Sequence, residues 1–163
     1  NPLHVIAIGF GSGLAPRAPG TVGTLWAWAA FLILRPHLGD VQWAWLIGIG
    51  FVLGCWASAV TARHLGKADP GCVVWDEVIA FWIVLWLVTP ASLLAQTIAF
   101  ALFRLFDAAK PGPVGWADRC FKPRSGATGE ARIGWREGLG IMLDDLVAAL
   151  CTLLVIAAWR FVW

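Results

Sequence analysis

Four long charge-free apolar runs dominate the chain: residues 18–34, 41–62, 78–103 and 146–159, of 17, 22, 26 and 14 residues. At a helical rise of about 1.5 Å per residue, the second matches a hydrocarbon core of about 30 Å as a single transmembrane helix. The first and fourth are shorter. They span if Arg35 and Arg160 extend their charged ends to the interface, helped by Trp26, Trp28, Trp159 and Trp163 near the segment ends. The third is too long for one untilted crossing and is interrupted by Thr89-Pro90-Ala91-Ser92, where proline removes a backbone donor and disfavours a helical residue before it.

The third run has two readings. A tilted, kinked single helix places Asp76 and Glu77 on one face of the membrane and Asp107 on the other. A helix-break-helix hairpin returns the chain to its starting side, with arms of 11 to 13 residues that are too short to cross and a tip that protein must cover. Cytoplasmic loops collect lysine and arginine. The hairpin puts ten of the twelve basic residues on one side and leaves Arg35 and Arg160 on the other, whereas the straight span divides them eight to four. The sharper asymmetry favours the hairpin, and either topology sends residues 104–145 to the cytoplasm. The fold expected is an all-α polytopic membrane bundle of three to four spanning helices, forming one domain over residues 1–163.

Composition strengthens this picture. Hydrophobic residues make up 60% of the 163 positions and charged ones 13%, with a mean hydropathy of +0.75. That balance excludes an ordinary soluble globule and a disordered chain. A net charge of +2 gives no footing for a nucleic-acid partner. Cys55, Cys72, Cys120 and Cys151 show no metal or redox spacing and are expected to be reduced thiols.

Within so apolar a chain the acids call for an explanation. Asp76-Glu77 precedes the third run, Asp107 follows it, and Asp144-Asp145 precedes the fourth. Carboxylates at the edge of apolar helices are costly unless paired, solvated or bound to a cation, and an oxygen-only set suits a hard divalent ion, magnesium above all where a phosphate completes its shell. Capping of helix starts is the simpler account of Asp76 and Asp144 taken singly. It does not explain two adjacent acids twice over, or Asp107 at the wrong end of a helix. Arg104, Asp107 and Lys110 recur every three residues, so a helix sets a carboxylate between two cations, either as a solvated ion-pair face or as a phosphate site. The glycine-rich stretch 9–24 supplies flexible backbone amides with Arg17, Thr21 and Thr24 as further donors, but it lacks the lysine of a nucleotide-binding loop. The histidines, His4, His37 and His64, are too scattered to suggest a nucleophile.

In order along the chain, Gly9-Phe-Gly-Ser-Gly-Leu-Ala-Pro-Arg-Ala-Pro-Gly-Thr-Val-Gly-Thr24, Trp75-Asp-Glu-Val-Ile-Ala-Phe-Trp82, Phe103-Arg-Leu-Phe-Asp-Ala-Ala-Lys-Pro-Gly-Pro113 and Gly138-Leu-Gly-Ile-Met-Leu-Asp-Asp-Leu-Val-Ala148 resemble the phosphatidylglycerophosphatase A family. Asp118-Arg119 is similar to a further family pair, and the long basic connection 120–137 departs from the family pattern. The resemblance implies a bacterial inner-membrane enzyme that hydrolyses phosphatidylglycerophosphate to phosphatidylglycerol and phosphate with Mg2+, on the cytoplasmic side. It implies a site in which Asp76, Glu77, Asp107, Asp144 and Asp145 hold metal, and Arg17, Thr21, Thr24, Arg104 and Lys110 bind phosphate. Asp107, Asp144, Asp145 and Lys110 are the expected catalytic groups, and phosphatidylglycerophosphate and membrane lipids the expected partners. The oligomeric state is open. A small cation channel or transporter lined by the same carboxylates is the alternative.

Overall fold

The computed structural model describes residues 2–67, 70–116 and 135–162. Asp118, Arg119 and most of the basic connection lie outside them. The described chain is helical: α1 (Pro2–Ala7), a kinked 3-10 turn (Gly9–Leu14), α2 (Pro19–Leu34), α3 (Asp40–Leu65), α4 (Trp75–Val88), α5 (Leu93–Ala109) and α6 (Trp135–Val162).

Local chemistry sets the ends. Pro19 opens α2, where a missing N–H costs nothing. Gly66 closes α3 in the left-handed conformation, at φ 63°. Thr89, extended ahead of Pro90, stops α4, and Ser92 restarts the helix by accepting the Ala95 N–H on its Oγ at 3.2 Å. The chain therefore doubles back between α4 and α5, as the charge asymmetry predicts, and Glu77 at the start of α4 lies 3.7 Å from Arg104 near the end of α5. The arms are longer than expected, 14 and 17 residues, because the helices absorb the flanking charged residues rather than ending at them. For the same reason Asp144 and Asp145 do not open a helix. α6 begins at Trp135, so the pair sits more than two turns inside it and the capping account of Asp144 fails.

The first arm of the hairpin is the post of the bundle. Val78, Ile79, Ala80, Phe81, Trp82, Val84 and Leu85 are all buried, so α4 is enclosed round its whole circumference by α2, α3, α5 and α6. Indole N–H groups fix its height: Trp75 donates to the Gly50 carbonyl at 2.9 Å and Trp82 to that of Ala27 at 2.8 Å. Trp28 donates to Gln96 Oε1 at 2.7 Å, tying α2 to α5. The outer surface reverses the usual pattern. Trp45, Ile49, Val52, Trp56, Leu94, Ile98, Leu154 and Trp159 are exposed, a surface suited to acyl chains and untenable in water. Asp40–Leu65 and Gly138–Arg160 are long and apolar enough to cross a membrane.

Depth follows from lengths. The 14 to 17 residues of α2, α4 and α5 measure about 21–25 Å along their axes, less than the roughly 30 Å hydrocarbon core. Helices of that length do not reach from one headgroup layer to the other, which keeps their ends close to the apolar layer. α3 runs further. Trp75 packs on Gly54, and the eleven residues from there to Leu65 rise about 16 Å past the start of α4. This end of α3 meets α1 and the first turns of α6 in a second apolar cluster of Ala7, Ala57, Ala62, Val73 and Ile141. His4 bonds there to Thr61 Oγ1 at 2.9 Å and to His64 at 2.8 Å. Burial, and then the neighbouring His64, hold the His4 pKa below its ordinary value, which suits a neutral structural ring. Cys55, Cys72 and Cys151 are free thiols, as expected.

Gly138 carries the α3–α6 crossing, because a Cβ there would sit 2.1 Å from the Cys55 carbonyl oxygen, a backbone atom with no room to yield. Gly138→Ala is expected to cost about 1–3 kcal/mol, read as a lowered thermal midpoint in detergent. In a background freed of native cysteines, Gly71→Cys and Ala108→Cys should react with an impermeant maleimide from one face of sealed vesicles and His37→Cys from the other. Opposite labelling of 71 and 108 would break the hairpin.

Candidate active site

Three helices deliver charge to one place. The first turn of α4 contributes Asp76 and Glu77, where the positive end of the helix dipole favours carboxylates, and Asp76 Oδ1 accepts the Glu77 N–H at 3.0 Å. The last turns of α5 contribute Arg104 and Asp107, with Arg104 Nη1 2.5 Å from Asp107 Oδ2. Lys110 follows at the left-handed end of α5, φ 43°, and this twist sends its Nζ across to Asp144 Oδ2 on α6 at 2.6 Å. Asp145 stands beside it, 3% exposed. The hairpin thus unites acids 31 positions apart in sequence, and α6 adds the rest.

The charges within this cluster do not balance. Five carboxylates gather there, while among the described residues only Arg104 and Lys110 bring positive charge to them. Asp76, Asp107, Asp144 and Asp145 are each no more than 9% exposed. Burying unpaired carboxylates costs several kcal/mol apiece, and Asp76 and Asp145 have no cationic partner among the described residues. One oxygen from each of Asp76, Glu77 and Asp145 lies within 4.8 Å of the others, an all-oxygen grouping of the kind a hard divalent ion takes. Two atoms mark where ligands are wanted. Glu77 Oε2 is buried with no hydrogen-bond partner, and so is Arg104 Nε, the first an acceptor awaiting a cation and the second a donor awaiting an oxygen.

The wall comes from the glycine-rich stretch. Thr24, fully buried, accepts from Arg104 Nη1 at 3.4 Å while its hydroxyl donates to the Gly20 carbonyl at 2.8 Å. Gly20 is the residue that sequence reasoning did not single out. A Cβ at this position would lie 2.0 Å from Glu77 Oε1 and 3.2 Å from Arg104 Nη1, so only glycine lets α2 press against the acid and its cation. Its signal was its place beside Pro19, at the entry of a helix. Arg17 is exposed and Thr21 half-buried, and neither bonds to the cluster among the described residues. Thr24, Arg104, Lys110 and all five expected acids do converge.

This geometry opposes the channel alternative. The acids are collected at one end of the bundle, Glu77 and Asp107 paired with Arg104 and Asp144 with Lys110, instead of being strung along a path across it. The histidines stand apart, His4 and His64 bonded to each other and His37 beyond the end of α2.

Comparison with known proteins agrees. The model of the family described as phosphatidylglycerophosphatase A matches residues 5–160. A Haemophilus influenzae protein named phosphatidylglycerophosphatase A is 36% identical over 99% of this chain and 90% of its own length. An Escherichia coli protein of the same name is 36% identical over 91% of this chain and 77% of its own. A Bacteroides thetaiotaomicron relative, provisionally named a phosphatidylinositol-3-phosphatase, is 34% identical over 97% and 93%. No solved structure matches. With a family model covering nearly the whole chain and relatives 36% identical over 91–99% of it, the chain belongs to the phosphatidylglycerophosphatase A family.

Proposed function

We propose that the protein is a Mg2+-dependent lipid phosphate monoesterase that hydrolyses phosphatidylglycerophosphate to phosphatidylglycerol and phosphate at the cytoplasmic face of a bacterial inner membrane. The observation that carries this reading is the convergence of five carboxylates on two cations, with Glu77 Oε2 and Arg104 Nε both unpartnered. An acid set needing a cation lies against a base needing an acceptor, and a metal-bound phosphate supplies both. The names of the Haemophilus and Escherichia relatives support the substrate.

Asp76, Glu77 and Asp145 are the residues that would hold Mg2+, whose chemistry is to neutralise charge on the phosphoryl oxygens. Arg104, offering Nε and its fork, and Lys110 bind those oxygens, and the Thr24 hydroxyl orients Arg104. Arg17 and Thr21 make no bond to the cluster among the described residues. Asp107 lies outside the trio yet is bonded to Arg104, so it is placed to take the proton of the attacking water. The water oxygen bonds to phosphorus, the bond from phosphorus to the glycerol oxygen breaks, and Lys110 gives that oxygen a proton. Asp144 keeps Lys110 aimed at the site. A variant route has an acid attack phosphorus directly, with water then releasing the phosphate from it.

The test is phosphate release by the purified chain in lipid micelles. Phosphatidylglycerophosphate should be cleaved and a soluble phosphomonoester should not, and chelation should abolish turnover until Mg2+ is restored. Phosphatidate and phosphatidylinositol 3-phosphate belong in the panel, the latter because of the Bacteroides relative's name. Asp107→Asn should lower kcat by about 100-fold or more, as loss of a proton acceptor does. Failure of a well-folded chain to release phosphate from any lipid would overturn the reading.

Gly20→Ala separates site from scaffold. The atom it displaces is the tip of a side chain rather than backbone, and alanine suits a helix better than glycine, so thermal stability should change by less than about 1 kcal/mol. Pushing Glu77 and Arg104 aside by about an ångström should nonetheless cost on the order of 100-fold in kcat/KM.

A further inference from the structure

The bundle carries a second feature, on its lipid-facing side. A groove of about 550 Å³ runs along the seam between α5 and α6, lined by Pro90, Ala95, Ile98, Leu102, Val155 and Ile156, with Trp159 and Arg160 at its far end. Its volume is that of a small-molecule site. The side chains of Ala91, Ser92 and Ala95 are too small to fill it, and apart from Ser92 and Arg160 its lining is apolar.

The course of the groove matters more than its size. Along α5 it extends from Ser92 at the hairpin tip to Leu102, about 15 Å, and ends two residues before Arg104. On α6 it is lined from Val155, ten residues past Asp145, to Arg160, so most of it lies well below the charged cluster, towards the hairpin tip, at the depth reached by the distal carbons of a long acyl chain. A lipid whose phosphate sits against Arg104 and Lys110 must send its acyl chains away from the charged end, towards the hairpin tip. The groove lies in the seam of the two helices that supply Arg104, Lys110 and Asp144, at a depth that the distal carbons of such a chain reach. Water is a poor occupant of so apolar a slot, and a free phosphate or soluble phosphomonoester has nothing to place in it.

We infer that this groove is an acyl-chain subsite, holding one fatty acyl chain of the glycerophospholipid whose phosphate is bound at Arg104 and Lys110. The inference rests on the proposed phosphatase reading for the identity of the headgroup. It deepens that reading by making the enzyme sense the length of the chain as well as the phosphate. Trp159 and Arg160 close the groove near the opposite face, which sets a limit on the chain it accommodates. Each methylene placed in it adds about 0.8 kcal/mol, so binding energy gathered far from phosphorus raises the occupancy of the site.

The experiment uses the full chain and two substrates, phosphatidylglycerophosphate with dihexanoyl or dipalmitoyl chains. Ile98→Trp fills the groove from a half-exposed position and should leave folding intact. Leu94→Trp, on the same helix outside the groove, is the control. Ile98→Trp is expected to raise KM for the long-chain lipid about tenfold, the loss of roughly two methylenes of contact, while the short-chain lipid and the control change less than about twofold. Equal effects on both lipids, or none, would overturn the subsite. Covalent capture gives a readout independent of turnover. A phosphatidylglycerophosphate bearing a diazirine on one acyl chain should label α5 and α6 around Ile98 and Ile156, and Arg104→Ala should abolish that labelling. Should native protein hydrolyse nothing yet still be labelled there in an Arg104-dependent way, the subsite stands and the phosphatase reading falls. Labelling that ignores Arg104→Ala and disappears in Arg160→Ala would assign the groove to a lipid of the opposite leaflet and overturn the proposal.

Discussion

Five carboxylates gathered at one end of the apolar bundle, three of them paired with Arg104 or Lys110, form the constraint on which the rest of the molecule depends. Such a set is unstable by itself. Desolvation disfavours each charge, mutual repulsion adds to it, and Arg104 and Lys110 compensate only part. A helix bundle stabilised only by apolar packing has no use for this arrangement, since replacing the acids with leucine would improve it. The cluster is what the proposed lipid-phosphate site would require, with the unpartnered Glu77 Oε2 and Arg104 Nε open to a cation and an oxyanion.

The architecture can be read as the means of holding that cluster. α4 is buried on every side, so Asp76 and Glu77 project from the most constrained helix of the bundle, its height fixed by the Trp75 and Trp82 indoles. The hairpin then returns α5 at a register that puts Arg104 opposite Glu77, and the Trp28–Gln96 bond holds that arm against α2. α6 brings Asp144 and Asp145 from mid-helix, where the backbone is least able to fray. Positioning by helices rather than loops suits a reaction in which small misplacements of a charge are costly.

Much of this was legible in the sequence because it rests on two strong signals. Proline in a long apolar run and the one-sided distribution of arginine and lysine together pointed to the hairpin, and acids in a charge-poor chain pointed to the site. Boundaries were harder to read. Charged residues were taken as helix ends, yet α4, α5 and α6 carry Glu77, Arg104 and Asp144 within them, because burial against partners of opposite charge removes the need to stop. Gly20 was lost among the other glycines of its stretch, since only the packed position of Glu77 shows why that one must lack a side chain. Arg17 and Thr21 shared the chemistry of phosphate donors but not the position. They precede or begin α2 on a side that the cluster does not face, and no linear pattern reports that.

The shortness of the hairpin arms links fold to chemistry. Had the third run crossed as a single helix, Asp76 and Asp107 would stand on opposite membrane faces and no shared site would exist. Doubling back keeps both at one end, on arms of about 21–25 Å that are shorter than the hydrocarbon core. α3, α1 and the start of α6 continue past that end of α4 and pack together there. For a lipid phosphate this geometry removes the largest cost of reaching a charged site. In the proposed reading the acyl chains stay in an apolar medium throughout, and only the headgroup would exchange water for the charged cluster. A soluble ester of the same phosphate has the same charge to offer but gains nothing from the apolar surface, so discrimination between the two resides in the helices' length and lipid-facing seam as much as in the charged residues.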